Sequence, residues 1–304
     1  MTAPSASSPT SALDDLVTVR DWLRYGVSRF EAAGLVYGHG TTGPVDEAAF
    51  LILKTLHLPI DALDPWLDCR LTIAERTQVA GILEARVVTR KPACYLVNEA
   101  WIQGLSFYVD ERVIVPRSYI GELLANGLSA VVPDADEIER GLDLCTGSGC
   151  LAILAARAFP NAEIDAVDIS NEALDVARQN VGDYNLNDRI AVLASDLFMG
   201  VKDQRYDLIL SNPPYVSDEV IADFPPEHRA EPVLAHAGGK DGLDIVRRIL
   251  KDARQYFTEH GMLVVEIGTG RELLEEEYPT LPFLWLDSEN SEGEVFALPA
   301  SALK

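Results

Sequence analysis

The chain has 304 residues, 48% of them hydrophobic, with 25 Lys and Arg against 48 Asp and Glu and a formal net charge of −23. Its length suits one large domain plus a small one, and no stretch approaches the roughly 18 consecutive apolar residues of a membrane helix. Such acidity serves solubility, repels a phosphate backbone and attracts cationic partners.

Residues 1–12 are rich in Ser, Thr, Ala and Pro, lack the basic and apolar regions of a secretory signal, and read as a disordered tail. Residues 13–104 read as a helical module. Val19, Trp22, Leu23, Val27 and Phe30 recur at helical spacing behind Thr18 as N-cap, and Ala48, Leu51, Ile52 and Leu56 repeat the pattern after Pro44. Thr72 and Glu75 form a capping-box signature ahead of Val79, Ile82 and Leu83, and Lys91-Pro92 stops that helix. Two β-rich runs, 105–109 and 112–116, flank Asp110-Glu111 and predict a hairpin linker over 105–116. Ser118 is placed to cap a helix over 119–128.

From Gly141 onward the pattern alternates. It predicts strands at 142–145, 162–169, 190–194, 206–210 and 262–267, with closing strands at 283–286 and 294–298. Helices are expected at 151–159, 171–181 (capped by Asn171 or Ser170), 243–257 and 271–278. Such α/β alternation implies right-handed crossovers and a parallel sheet covered on both faces, with ligands at the C-terminal strand ends.

Cys69, Cys94, Cys145 and Cys150 contain no C-x-x-C pair. That argues against a zinc site or disulfide scaffold and points to reducing cytosol. Cys145 and Cys150 read as small packing residues. The five histidines are scattered without metal-ligand spacing, so no metal is expected.

Chemistry concentrates at the predicted strand ends. Gly147 and Gly149, in Asp143-Leu144-Cys145-Thr146-Gly147-Ser148-Gly149, sit where a strand turns into a helix. Glycine admits close backbone approach by a ligand, and the helix start offers free N–H groups. The next strand ends in Asp168, suited to ribose hydroxyls. The third ends in Ser195-Asp196-Leu197-Phe198, where Asp196 suits an adenine amine and Leu197 the base. This set fits S-adenosylmethionine; NAD is the rival ligand, disfavoured by the missing third glycine.

After the fourth strand comes Asn212-Pro213-Pro214-Tyr215. Asn212 Oδ1 and the Pro213 carbonyl suit the two N–H bonds of a flat, conjugated NH₂ group. Two prolines stiffen the turn and an aromatic ring can stack on the planar group. Together the two motifs predict methyl transfer to a planar nitrogen.

On these residues the chain resembles the protein glutamine methyltransferases of the class I S-adenosylmethionine-dependent fold. The resemblance covers nearly all of residues 90–300. It rests on Val115-Pro116-Arg117-Ser118, the 143–149 turn, Ala166-Val167-Asp168-Ile169-Ser170, Ser211 to Tyr215, Glu231-Pro232 and Gly238-Gly239-Lys240-Asp241-Gly242-Leu243. It implies a Rossmann-like, mixed seven-stranded sheet over 117–304, preceded by a helical substrate-recognition domain (13–104) and the hairpin linker. S-adenosylmethionine would be cofactor and S-adenosylhomocysteine product. Cofactor contacts are expected from Asp143, Cys145, Thr146, Gly147, Ser148, Gly149, Asp168, Ile169, Asp196, Leu197 and Asn212. Catalysis is expected from Asn212, Pro213 and Tyr215, and substrate contact from these with Pro214 and Arg117.

One branch of this family modifies a glutamine of large-subunit ribosomal protein L-three, the other the GGQ glutamine of release factors. Pro116-Arg117-Ser118, Ile120-Gly121-Glu122-Leu123, Cys145 and Phe159-Pro160-Asn161-Ala162-Glu163 resemble the ribosomal-protein branch. Tyr119 stands where a proline is expected, and His236 where an apolar residue is. A basic protein substrate in the cytoplasm agrees with the acidic charge; a DNA adenine methyltransferase, which would want a basic groove, is the distant alternative. Arg117 suits the cofactor carboxylate, the substrate peptide or a hinge salt bridge; Glu231 and Asp241 suit loop ordering or peptide contact.

Overall fold

The computed structural model describes residues 13–303, so the expected 1–12 tail lies outside the described residues. The chain divides into two compact units. Among the described residues, one comprises 13–99 with 225–230, the other 100–224 with 231–303.

The smaller unit is helical. Helix Val19–Ala33 starts at a capping box in which Thr18 Oγ1 accepts from Asp21 N and Asp21 Oδ2 accepts from Thr18 N. Helix Ile73–Thr89 starts at the matching Thr72/Glu75 box and ends at Arg90, whose left-handed φ of 62° precedes Lys91-Pro92. Trp22, Phe30, Leu51, Ile52, Val79 and Leu83 form a buried apolar core. Beside it lies a buried ion pair, with Arg86 Nε 2.6 Å from Glu47 Oε1. Glu227 joins this group through Arg90, at 2.8 Å, and through the backbone N–H of Val36, at 3.2 Å. Those contacts explain why residues 225–230 belong to the helical unit, an assignment sequence reading did not anticipate. The only signal was an acidic residue behind two prolines, Pro225-Pro226-Glu227.

The larger unit opens with a hairpin, but not at 105–116. Strands β1 (Ala100–Ile102) and β2 (Leu105–Phe107) pair antiparallel around Gln103 and Gly104, both at positive φ. Arg112–Pro116 forms no strand because its polar groups bond elsewhere. Asp110 Oδ1 accepts from Arg112 N, at 3.0 Å, and Glu231 Oε1 accepts from Val115 N, at 2.9 Å. Helix Tyr119–Ala125 is capped by Ser118 as expected but stops short of residue 128, because Gly127 and Leu128 turn into positive φ.

The main sheet contains β3 (Arg140–Leu144), β4 (Glu163–Asp168), β5 (Ile190–Ala194), β6 (Tyr206–Ser211), β7 (Phe257–Glu266), β8 (Leu284–Leu286) and β9 (Val295–Pro299), in order β5-β4-β3-β6-β7-β9-β8. The first five run parallel, whereas β9 is antiparallel to both β7 and β8. The sheet is therefore mixed, as the resemblance implies, rather than wholly parallel as alternation alone suggests. The 243–257 helix is also shorter than expected. It spans Asp244–Asp252, and β7 begins already at Phe257, with a register shift opposite Tyr206/Leu208.

Strand alternation sorts side chains into two cores. On β6, Leu208 and Leu210 join Ile153, Leu154 and Phe159 on one face, while Ile209 joins Val246, Ile249 and Phe296 on the other. Burial on both faces locks the register, since a one-residue slip would exchange the two sets. The carboxyl ends of β3 to β6 consequently converge along one edge.

Candidate active site

A cavity of about 240 Å³ opens at that edge within the larger unit. Of the expected site residues, Cys145, Gly147, Asp168, Ile169, Asp196, Leu197, Asn212 and Pro214 line it. Asp143, Thr146, Ser148, Gly149, Pro213, Tyr215 and Arg117 do not appear in its lining.

Asp143 faces inward and braces the turn. Its Oδ2 accepts from Thr146 Oγ1, at 2.5 Å, and from Ala152 N, at 3.0 Å, while Oδ1 has no hydrogen-bond partner among the described residues. Complete burial pushes this carboxyl up to about 7, with those two bonds acting in the opposite direction. Cys145 takes a left-handed φ of 59°, a conformation few non-glycine residues adopt. Burial pushes its thiol above the usual range, which favours the neutral form at the cavity wall.

Asp168 is the keystone of the turn. Its Oδ2 accepts from Gly147 N and its Oδ1 from Ser170 N, each at 2.9 Å. Burial raises its pKa. Each oxygen keeps a second lone pair for hydroxyl donors. Gly147 sits at φ 55°, and a Cβ there would meet no atom within 4 Å, because the space it would enter is open. Gly149 is needed for packing instead, since a Cβ would approach Ala177 Cβ to 3.2 Å. Asp196 pairs with Arg248 at 2.7 Å, and Ile169 stands 56% exposed at the rim.

Sequence reading missed part of the lining, including Arg112, Val113, Ile114, Leu234, Ala237 and Ile245. Asn180 pins part of it. Buried on helix Asn171–Asp183, it accepts from Tyr108 N and donates to the carbonyls of Tyr108 and Ser148, at 2.8, 3.0 and 2.8 Å. One amide thereby ties the strap before Arg112 to the glycine turn. No local pattern marks such a residue; only an unexplained Asn on the buried helix face hints at it.

On the acceptor side, β6 ends with Ser211 Oγ donating to the Leu144 carbonyl at 3.0 Å, which leaves Asn212 and Pro214 at the cavity wall. Tyr215 donates its hydroxyl to Glu266 at 3.0 Å. Arg117 forms a two-bond ion pair with Glu231, at 2.6 and 2.7 Å, and His236 Nε2 lies 3.0 Å from the same carboxylate. The arginine's charge is thus matched by a buried partner, and the unexpected histidine has a polar neighbour. Asp241 accepts from Leu243 N and pairs with Arg247, which holds its carboxyl down to about 2.

The glycine turn and the Asn212-Pro213-Pro214-Tyr215 turn thus contribute residues to one cavity. Residues 122–224 match the model of the methyltransferase small domain family. The chain is 55% identical, over 95% of its length and 92% of the relative's, to the ribosomal protein uL3 glutamine methyltransferase of Bradyrhizobium diazoefficiens. The same-named protein of Burkholderia pseudomallei is 51% identical over 94% of this chain and 95% of its own.

The chain belongs to the ribosomal protein uL3 glutamine methyltransferase family.

Among solved structures, the hMettl16 catalytic domain in complex with a MAT2A 3′UTR hairpin matches with TM-score 0.52 at 19% identity, covering 83% of this chain and 90% of that one. At that identity the likeness concerns the fold alone, a class I methyltransferase fold. Membership in a methyltransferase family implies use of S-adenosylmethionine, and the open space at Gly147 beside the Asp168 carboxylate is compatible with a ligand of that kind. No helix among the described residues is long and apolar enough to cross a membrane.

Proposed function

We propose that this protein transfers a methyl group from S-adenosylmethionine to the side-chain amide nitrogen of a glutamine in ribosomal protein uL3. The observation that carries the reading is the placement of Asn212 and Pro214 on the wall of the cavity that Gly147 and Asp168 also line. When bound, the cofactor supplies an electrophilic methyl carbon on a sulfonium. Asp168 takes the ribose hydroxyls, Ile169 and Leu197 flank the base, and Asp196 meets its amine. Asp143, Thr146, Ser148 and Gly149 keep the turn in shape, with Cys145 as wall.

A carboxamide nitrogen is a poor nucleophile because its lone pair is delocalised. Asn212 Oδ1 and the Pro213 carbonyl accept its two N–H bonds, fix the nitrogen for in-line attack and favour its lone pair at the methyl carbon. Tyr215, outside the cavity lining, holds the turn through its hydroxyl on Glu266. This would be catalysis by positioning and electrostatics: the N–C bond would form as the methyl–sulfur bond breaks and the neutral thioether S-adenosylhomocysteine leaves, and the acidified nitrogen would lose its proton to water. The proposed chemistry requires no metal.

The helical unit is the proposed substrate-recognition domain, with Arg117 ordering the approach through Glu231. A net charge of −23 favours a basic protein partner, and we place the reaction in the cytoplasm. A tritiated-methyl transfer assay offering purified uL3, a release factor and duplex DNA side by side tests the reading. Label on uL3 alone is expected. Label on the release factor would move the enzyme to the sister activity, and label on DNA would overturn the charge argument.

A further inference from the structure

The amide-binding turn has a mechanical problem. Pro213 and Pro214 carry no backbone N–H, so the turn cannot be held by a ladder through those positions. The first backbone bond after it is Val216 N to the His236 carbonyl, at 2.9 Å. An acceptor oxygen that must orient a weak nucleophile has to be fixed by other means, because small displacements are costly in rate.

Tyr215 is where the turn is fixed. A Cβ on Gly268 would lie 2.9 Å from Tyr215 Cδ2 and Cε2, so the glycine lets the ring lie flat against the backbone. Cβ atoms on Gly238 and Gly242 would approach Tyr215 Cα and its carbonyl oxygen to 2.8 and 2.3 Å. These contacts explain Gly238 and Gly242. They leave rotation and sliding of the ring to be stopped by its hydroxyl, which donates to Glu266 Oε1 at 3.0 Å.

Glu266 ends β7 and is 1% exposed. Its second oxygen accepts from Ser118 Oγ, at 2.7 Å, and from Tyr119 N, at 2.9 Å, at the start of helix Tyr119–Ala125. None of these three donors is a cation. A buried carboxylate is expensive, and burial accordingly raises its pKa. Three convergent donors offset that cost and tie the acceptor turn, the end of a central strand and a helix start to one group.

The geometry points to Glu266 as a positioning residue of the methyl-transfer reaction, acting through Tyr215 to hold the Asn212-Pro213-Pro214-Tyr215 turn in its productive place. The assignment deepens the proposed function and rests on it for its kinetic arm. Glu266→Gln preserves shape and an acceptor for Tyr119 N, but presents an amide donor to the Tyr215 hydroxyl. Tyr215→Phe deletes that hydroxyl alone.

The test is a double-mutant cycle in the full-length protein, reading turnover with uL3 and cofactor affinity by calorimetry. Each single variant is expected to lower kcat by about 10–100-fold with cofactor affinity kept within about twofold. The double variant should be no slower than the slower single one. Multiplying effects, an unchanged kcat, or cofactor affinity falling in step with kcat would each overturn the assignment. A second arm needs no substrate. Amide exchange at Val216 should accelerate several-fold in Glu266→Gln while Leu208 to Leu210 of β6 stay protected, and unchanged exchange at Val216 would also overturn it. If the wild type leaves uL3 unlabelled, the proposed function fails while the exchange arm still decides whether Glu266 holds the turn.

Discussion

The two halves of the cavity are built by different means. The proposed cofactor half is held by carboxylates that reach backbone N–H groups of adjoining turns, at most 21 residues away. Asp143 reaches Ala152, and Asp168 reaches Ser170 and Gly147. The acceptor half is held by side chains from distant segments. Glu266 meets Tyr215 and Ser118, and Glu231 meets Arg117 and Val115. A site braced mainly through backbone donors of adjoining turns is less sensitive to distant change. One made of long-range pairs couples its geometry to the whole domain. Binding and chemistry should therefore separate under mutation.

The largest expected effect is at Asn212. Asn212→Ala removes the acceptor oxygen from the reacting nitrogen and should lower transfer by about 10³-fold or more, with cofactor affinity nearly unchanged. Calorimetry beside the labelling assay checks it, and parallel loss of both would erase the distinction between the halves.

Asp168→Ala should show the opposite pattern. It strips acceptors from Gly147 N and Ser170 N and should weaken cofactor binding about 10–100-fold, while kcat at saturating cofactor falls far less. Initial rates over a range of cofactor concentration would reveal a kcat effect instead, if Asp168 also orients the methyl carbon.

Asp143 gives a pH signature. Its folded carboxyl titrates near 7 because of burial, against an ordinary value of 3.8, so the folded state holds the proton more tightly than the unfolded state. The stability linked to that proton is complete below about pH 4 and is lost as pH rises through about 7. Relative to Asp143→Asn, the wild type should lose on the order of 2–4 kcal/mol across this window. Denaturant titrations at pH 4.5 and 8 measure the difference, and parallel pH profiles would show that Asp143 is ionised at no cost.

The smallest effect is expected at Asp241. Its pair with Arg247 is partly exposed, with side-chain exposures of 37% and 27%. Asp241→Asn should cost under about 1 kcal/mol and leave turnover within about twofold. A large KM rise for the protein substrate would give Asp241 a contact in the acceptor half.

The same contrast governs what could be read in advance. Capping at Thr18, Thr72 and Ser118, the glycine turn, Asp168 and the Asn-Pro-Pro-Tyr turn were legible because each acts over a few residues or as a contiguous motif. The hairpin was displaced to 100–107 because Arg112–Pro116 looks like a strand until Asp110 and Glu231 take its N–H groups. Asp143 was anticipated as a cofactor contact, yet its side chain turns inward to Ala152, a choice set by packing beneath the turn. Glu266, Asn180 and Glu227 were at most weakly marked. Their partners lie dozens to nearly two hundred residues away, and a lone acid or amide has no periodicity to announce it. The amino-acid sequence by itself determined the turns and caps and put the candidate site residues at the strand ends, since backbone turns and caps depend on neighbours along the chain. Only the tertiary structure decided which buried polar group steadies each turn, since burial and hydrogen-bond satisfaction are properties of the assembled interior.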